Sequence, residues 1–333
     1  MEYRNLGKTD IKISVVSFGA WAIGGWMWGG ADDKDAIDAL ESAIDLGMTT
    51  IDTAPVYGFG KSEELVGKAI HKKRDKVQVL TKYGLRWDTK EGAFYFNSTN
   101  RKGEPVSIHK FAGPESVIRE CEASLKRLQT DYIDLYQIHW NDPTTSIEDT
   151  MEAVGRLKEQ GKIRAAGVSN YTTDQMKQAD IVLEIASNQV PYSMILRNIE
   201  KDLVPYCLKA GKSVLAYSPL QRGILTGKIT SGHKFNEGDH RPQTLYYKKK
   251  NISRINKFLS KIKPLAEDHS ITLAQLVIYW TIKQPAVTSA LVGARNPMQV
   301  SENSVAGRIQ LSDEVVTKIN KLLETYSSTL VFD

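Results

Sequence analysis

The chain has 333 residues, 41% of them hydrophobic and 25% charged, with 44 Lys and Arg against 39 Asp and Glu and so a formal net charge of +5. That length fits two average domains or one large α/β barrel. The polar opening "MEYRNLGKTD" has no signal-peptide layout, no apolar run approaches the roughly 18 residues of a membrane span, and Cys121 and Cys207 are too few and too far apart for a disulfide framework or metal knuckle.

These features predict a cytoplasmic chain with no membrane partner. The densest basic run, "YYKKK" (246–250), lacks a second basic strip and aromatic interleaving. It reads as a solvated loop or helix start, and no nucleic-acid partner is expected. The mild positive surplus suits capture of an anionic cofactor.

Along the chain, "YRNLGKTDIKI" predicts a small hairpin. Short β-branched runs then alternate with amphipathic stretches. The strand candidates are "VVSFGAW" (15–21), "TTIDTA" (49–54), "KVQVLTKY" (76–83), "YIDLYQIHW" (132–140), "IRAAGVSN" (163–170), "SNQVPYS" (187–193), "SVLAYSPL" (213–220) and "SALVGA" (289–294). Helical patterns fall at 33–47, after the second strand up to residue 70, and at 114–129, 147–161, 172–183, 200–211 and 272–284. A further helix, capped by Ser312, is predicted over 312–326. Regular strand–helix alternation argues for a parallel sheet, and eight units predict a closed (β/α)8 TIM barrel with an N-terminal hairpin, one domain over 1–333. Residues 85–112 and 221–250 do not fit the repeat and are expected to be long loops after strands three and seven.

Polar residues cluster at the carboxyl ends of these strands, where a barrel builds its active site. Asp52, Lys82, His139, Ser169 with Asn170, Gln189, Tyr217 with Ser218, and Gly293 all fall there, and Tyr57 follows Asp52 closely. Taken singly, each has an ordinary packing or capping explanation. Together they supply an acid, an ammonium, a phenol and an imidazole around a carbonyl. Asp52 would orient Lys82, Lys82 would lower the pKa of Tyr57 from about 10, Tyr57 would donate a proton, and His139 would hydrogen-bond the carbonyl oxygen. No H-E-x-x-H, G-x-S-x-G, Walker or Rossmann glycine pattern occurs, and no metal site is expected.

The segments "LGKTDIKISVVSFGAW", "IDTAPVYGFGKSEELVGKAI", "LTKYG", "SLKRLQTDYIDLYQIHW", "GKIRAAGVSNY", "AYSPLQRGILTGK" and "LVGARNPMQVSEN" resemble, in order, the aldo-keto reductase superfamily over nearly the whole chain. The layout is similar to bacterial general-stress and inositol-cluster reductases and to potassium-channel β subunits. The resemblance implies NADPH or NADP bound across the barrel mouth, with Asp52, Tyr57, Lys82 and His139 as the catalytic tetrad. It implies that Ser169, Asn170 and Gln189 hold the nicotinamide carboxamide and that Tyr217 stacks on the ring. Gly19, Trp21 and Asp52 would also border the cofactor. The pyrophosphate strap would be Ser218, Leu220, Gln221, Arg222, Gly223 and Lys228. Arg295 and Gln299 would face the 2′-phosphate beside Gly293, with Glu302 and Asn303 at the adenine and Arg241 within reach of the phosphates. Trp21, Trp26, Trp28, Trp87 and Trp140 are candidates for the substrate pocket. The expected reaction is reduction of an aldehyde or ketone. Oxidation of a sugar or cyclitol, and a redox-sensing role like that of channel β subunits, remain as alternatives.

Overall fold

The computed structural model describes residues 1–326. The chain opens with β1 (Tyr3–Asn5) and β2 (Lys12–Ser14), paired antiparallel as the expected hairpin. There follow β3 (Val16–Gly19), α1 (Asp33–Asp45), β4 (Thr50–Asp52), α2 (Lys61–Ile70) and β5 (Gln78–Tyr83). Next come β6 (Leu85–Arg86), β7 (Ala93–Thr99), β8 (Pro105–Lys110), α3 (Pro114–Leu128), β9 (Ile133–Ile138), α4 (Ile147–Glu159), β10 (Ile163–Ser169) and α5 (Thr173–Val182). The remainder is β11 (Ile185–Pro191), α6 (Leu203–Ala210), β12 (Ser213–Tyr217), α7 (Lys249–Glu267), α8 (Leu273–Ile282), β13 (Val287–Gly293), α9 (Pro297–Ser304) and α10 (Asp313–Tyr326). Eight parallel strands close into a barrel in the order β3-β4-β5-β9-β10-β11-β12-β13. This is the expected (β/α)8 fold.

Local chemistry starts the helices. Asp32 and Ser146 cap α1 and α4 through their side chains, Thr172 with Gln175 and Thr272 with Gln275 form capping boxes on α5 and α8, and Pro114 occupies the first turn of α3. The outward strand face packs on the helices in one large apolar core. The inward face forms a smaller layer in which Leu80, Leu135, Ala165, Ala186, Leu215 and Leu291 meet Leu6, Ile11 and Ile13 of the hairpin region, which plugs the amino end of the barrel. Because a strand repeats every two residues, Lys82, Gln137 and Tyr217 share the inward face one step nearer the carboxyl end than Leu80, Leu135 and Leu215.

One expectation is corrected and one is met with an addition. Residues 85–112 are not an irregular loop: β6, β8 and β7 form a three-stranded antiparallel sheet over the mouth. Residues 221–250 form a series of short 3-10 turns and then run into α7, an element the sequence reading left out. "YYKKK" is thus partly a helix start. The single-domain reading extends to residues 327–333, which lie outside the described residues. Among the described residues, no helix is long and apolar enough to cross a membrane.

Candidate active site

Asp52 and Lys82 are both buried and face each other from neighbouring strands, Lys82 Nζ donating to Asp52 Oδ2 at 2.7 Å. Lys82 also donates to the Thr53 carbonyl at 2.9 Å and to the Tyr57 hydroxyl at 3.3 Å. Tyr57 comes from the turn between β4 and α2, which lies tight against the segment after β3. A Cβ on Gly58 would sit 2.4 Å from the Gly24 carbonyl oxygen, and one on Gly24 would sit 2.9 Å from that of Tyr57, so both positions demand glycine. His139 follows β9, and its ring stands edge-on to Tyr57 with centroids 5.7 Å apart. The four side chains that the sequence separates are brought together here.

A second layer fixes them. Gln189 Nε2 donates to Asp52 Oδ1 at 2.7 Å, Ser169 Oγ donates to the Gln189 carbonyl at 2.9 Å, and Asn170 Nδ2 donates to the His139 carbonyl at 3.1 Å. The Tyr217 hydroxyl donates to Asn170 Oδ1 at 3.0 Å. Asn170 and Ser218 hold left-handed backbone at φ 58° and 56°, a strained conformation for a non-glycine residue of the kind that gathers at functional sites.

Burial governs the protonation states. Burial, and then the Asp52 carboxylate, push the Tyr57 phenol well above 10. The expectation that Lys82 would lower it is therefore not met, because burial disfavours the phenolate and the Asp52 carboxylate adds to that cost. Burial lowers Lys82 against the opposing pull of Asp52, and burial with the nearby Lys82 keeps His139 well below 6.5 and hence neutral.

From this cluster a cavity of about 660 Å³ runs to the head of α9. Of the residues expected to border a cofactor, Gly19, Trp21, Asp52, Ser169, Asn170, Gln189, Tyr217, Ser218, Leu220, Arg222, Gly223, Lys228, Arg241, Gly293, Arg295, Gln299, Glu302 and Asn303 line it. Gln221 does not: it is buried, and its side chain accepts from Ser193 Oγ at 3.3 Å. Arg241 is held by Asp239, with Nη2 2.6 Å from Oδ2, and braces the Arg222 carbonyl at 3.2 Å, so its charge is already neutralised. Lys228 pairs with Glu302 at 3.2 Å across the groove. The Arg295 N–H donates to Gln299 Oε1 at 2.9 Å at the start of α9.

At the other end, Trp21, Trp26, Trp28, Trp140, Tyr95 and Phe96 form an aromatic wall. Trp87 is not part of it and packs edge-on to Phe59. Trp26 Nε1 donates to Ser98 Oγ at 2.9 Å, tying the segment after β3 to β7. The sequence reading did not single out Tyr95, Phe96 or Gln137. Gln137 was accessible, since it lies two residues before His139 on one strand face. Its Oε1 is 3.4 Å from Gln189 Nε2.

The family described as Aldo/keto reductase family matches residues 15–324. A relative from Escherichia coli, named NADH-specific methylglyoxal reductase, is 38% identical over 96% of this chain and 97% of its own length. The solved structure of the glycerol dehydrogenase AKR11B4 from Gluconobacter oxydans superposes with a TM-score of 0.86 at 37% identity, covering 97% of this chain and 95% of that one. An aldo-keto reductase from Klebsiella pneumoniae solved in complex with NADPH gives 0.71 at 30% identity, covering 97% and 96%.

Proposed function

The chain belongs to the aldo-keto reductase family, and from that premise we propose that it reduces an aldehyde or ketone to the alcohol with NADPH, Tyr57 giving the proton. The observation that carries this reading is the continuous hydrogen-bond chain from Gln189 through Asp52 and Lys82 to the Tyr57 hydroxyl, which opens on the cavity beside the His139 ring. When bound, the reduced cofactor supplies a hydride to the carbonyl carbon. Tyr57, kept protonated by burial, holds its proton until negative charge grows on the carbonyl oxygen. The Lys82 ammonium then stabilises the phenolate left behind, and Asp52 keeps that ammonium charged and in place. Neutral His139 orients the same oxygen by a hydrogen bond, and the aromatic wall excludes water.

The residues present fit a nicotinamide dinucleotide phosphate. Gly19 and Gly293 are register partners on β3 and β13, and a Cβ on Gly293 would meet only the Gly19 carbonyl oxygen, at 3.7 Å, so the groove floor stays open to a ligand. Ser169, Asn170 and Gln189 would hold the carboxamide, and the Tyr217 ring would cover one nicotinamide face. Ser218, Leu220, Arg222, Gly223 and Lys228 would border the pyrophosphate. Arg295 and Gln299, at the start of α9, would take the 2′-phosphate, since a guanidinium binds a phosphate bidentately, with Glu302 and Asn303 at the adenine. The cofactor preference proposed here differs from the NADH in the name of the E. coli relative, and Arg295 is the ground for it.

Fluorescence titration with NADPH and NADH, followed by a carbonyl panel read at the nicotinamide absorbance band, tests the proposal. Tighter NADPH binding with aldehyde or ketone turnover supports it. Absence of turnover with either cofactor overturns it. The name of the Gluconobacter relative keeps the reverse reaction, oxidation of a polyol or sugar, as a second reading, and the same assay run from the alcohol side measures it.

A further inference from the structure

Glu120 lies on α3, outside the tetrad and the cavity wall. It is buried, and both carboxylate oxygens accept the Gly84 N–H at 3.2 Å. The other half of that same peptide group, the Tyr83 carbonyl, accepts the His139 backbone N–H at 2.9 Å. One peptide plane therefore joins the carboxylate to the backbone of the imidazole-bearing residue, just beyond Lys82. Gly84 has φ +85°, where a glycine tolerates several peptide orientations; the ladder bond fixes the carbonyl side of this peptide and Glu120 fixes its N–H side.

Gly84 is also the root of the sheet over the mouth. Arg86, on β6, places Nη1 3.6 Å from Glu120 Oε1 and donates further to Ser116 and Asp88. That sheet and its β6 root contribute Leu85, Tyr95 and Phe96 to the cavity. The far end of the excursion is held separately, by the Ala112 N–H on Asp142 Oδ2 at 2.9 Å.

We infer that Glu120 is a positioning residue for the reaction: it orients the 83–84 peptide that carries the His139 backbone and, through Arg86, seats the β6-β8-β7 sheet over the substrate end. The inference rests on the carbonyl-reductase reading above. A carboxylate is a costly way to fill this space, because a buried charge needs compensation. Burial pushes Glu120 up to about 7, against the pull of Arg86 and the Gly84 N–H. The groups facing it are Arg86 and Asp88 from the β6 segment, Tyr83 from β5 and Tyr136 from β9. Burial keeps both phenols neutral, while Arg86 and Asp88 hold each other charged despite partial burial. Near neutral pH, Glu120 is thus the member of this group that changes charge. Either protonation state accepts the Gly84 N–H, whereas attraction to Arg86 needs the ionised form.

The two roles therefore separate in kinetics. Glu120→Leu lowers kcat for carbonyl reduction about tenfold, through misplacement of His139, without changing NADPH affinity. Glu120→Gln keeps an acceptor and restores kcat to within roughly threefold of wild type, while KM for an aromatic carbonyl rises by roughly the few-fold worth of one ion pair. In wild type that KM rises as pH falls through about 7; in Glu120→Gln it is flat. Unchanged kcat in a folded Glu120→Leu, failure of Gln to restore it, or a KM step that persists in Gln overturns the inference. If Glu120→Leu does not fold, the Gln variant and its pH profile decide. Hydrogen exchange of the His139 amide gives a readout independent of turnover: it quickens in Glu120→Leu and stays slow in Glu120→Gln, and equal protection in all three proteins overturns the role. An inactive wild type with quickened exchange in the Leu variant would overturn the functional reading alone and support the positioning role.

Discussion

Gln189 and Lys82 bond opposite oxygens of one carboxylate: Gln189 Nε2 reaches Asp52 Oδ1 and Lys82 Nζ reaches Asp52 Oδ2, each at 2.7 Å. A residue of β11 thus holds the acid of β4 in the orientation that points the ammonium of β5 at Tyr57. The surroundings of the Tyr57 hydroxyl are set by three strands at once, which is how a barrel makes a rigid site from distant sequence.

Tyr57→Phe removes the proton while leaving ring and packing in place. Steady-state reduction should fall by about 10²- to 10⁴-fold, and NADPH titration should give a nearly unchanged Kd. Retained turnover would take Tyr57 out of the donor role.

Asp52→Asn leaves the buried Lys82 without its counter-charge. We expect loss of roughly 3–5 kcal/mol of stability, measured by denaturant unfolding, along with loss of reduction. A variant as stable as wild type would mean that Lys82 is neutral in the folded protein.

Arg295→Ala should weaken NADPH by about 1.5–3 kcal/mol, the worth of a charged hydrogen bond, and leave NADH almost untouched. Equal weakening of both cofactors in paired titrations would show that Arg295 does not read the 2′-phosphate.

The pH profile of kcat at saturating substrate has a definite sign. His139 is held well below 6.5 by burial and by Lys82, so its neutral form persists to the acid side of that value. Tyr57 is held well above 10 by burial and by Asp52, so its phenol persists beyond it. Burial lowers Lys82 from 10.5, and the alkaline fall in kcat belongs to its deprotonation. Stopped-flow single turnovers across pH should be level around neutrality and decline first at alkaline pH. A decline centred near 6.5 would contradict the neutral imidazole.

The barrel strands were legible because they are short apolar runs, most of them with a polar residue at or near the carboxyl end, and their order along the chain is their order round the barrel apart from the excursion after β5. Helix α7 carries Ile252, Ile255, Phe258, Leu259 and Ile262 on one buried face, a pattern visible in sequence but masked by the long irregular stretch before it. The sheet of β6, β7 and β8 was not legible: Phe94 is 59% exposed on an uncovered strand, so the strict alternation that marks a half-buried strand is missing. Glu120 reads as one more helix acid in "RECEAS", and only its meeting with Gly84 in space marks it as different. The turn at Gln221 went the same way, since which side of a strap faces a ligand depends on left-handed dihedrals that no residue pattern announces.

The hairpin plug bears on traffic as well as on packing. With Leu6, Ile11 and Ile13 closing the amino end, both reactants must use the carboxyl mouth, and the tetrad sits at its floor. On the reading proposed above, the carrier resting against Tyr217 would be seated before a carbonyl settles above it, and the alcohol would depart before the spent carrier. Arrival and exit would then follow one compulsory order: product inhibition is expected to be competitive for the nucleotide pair and non-competitive for the carbonyl–alcohol pair.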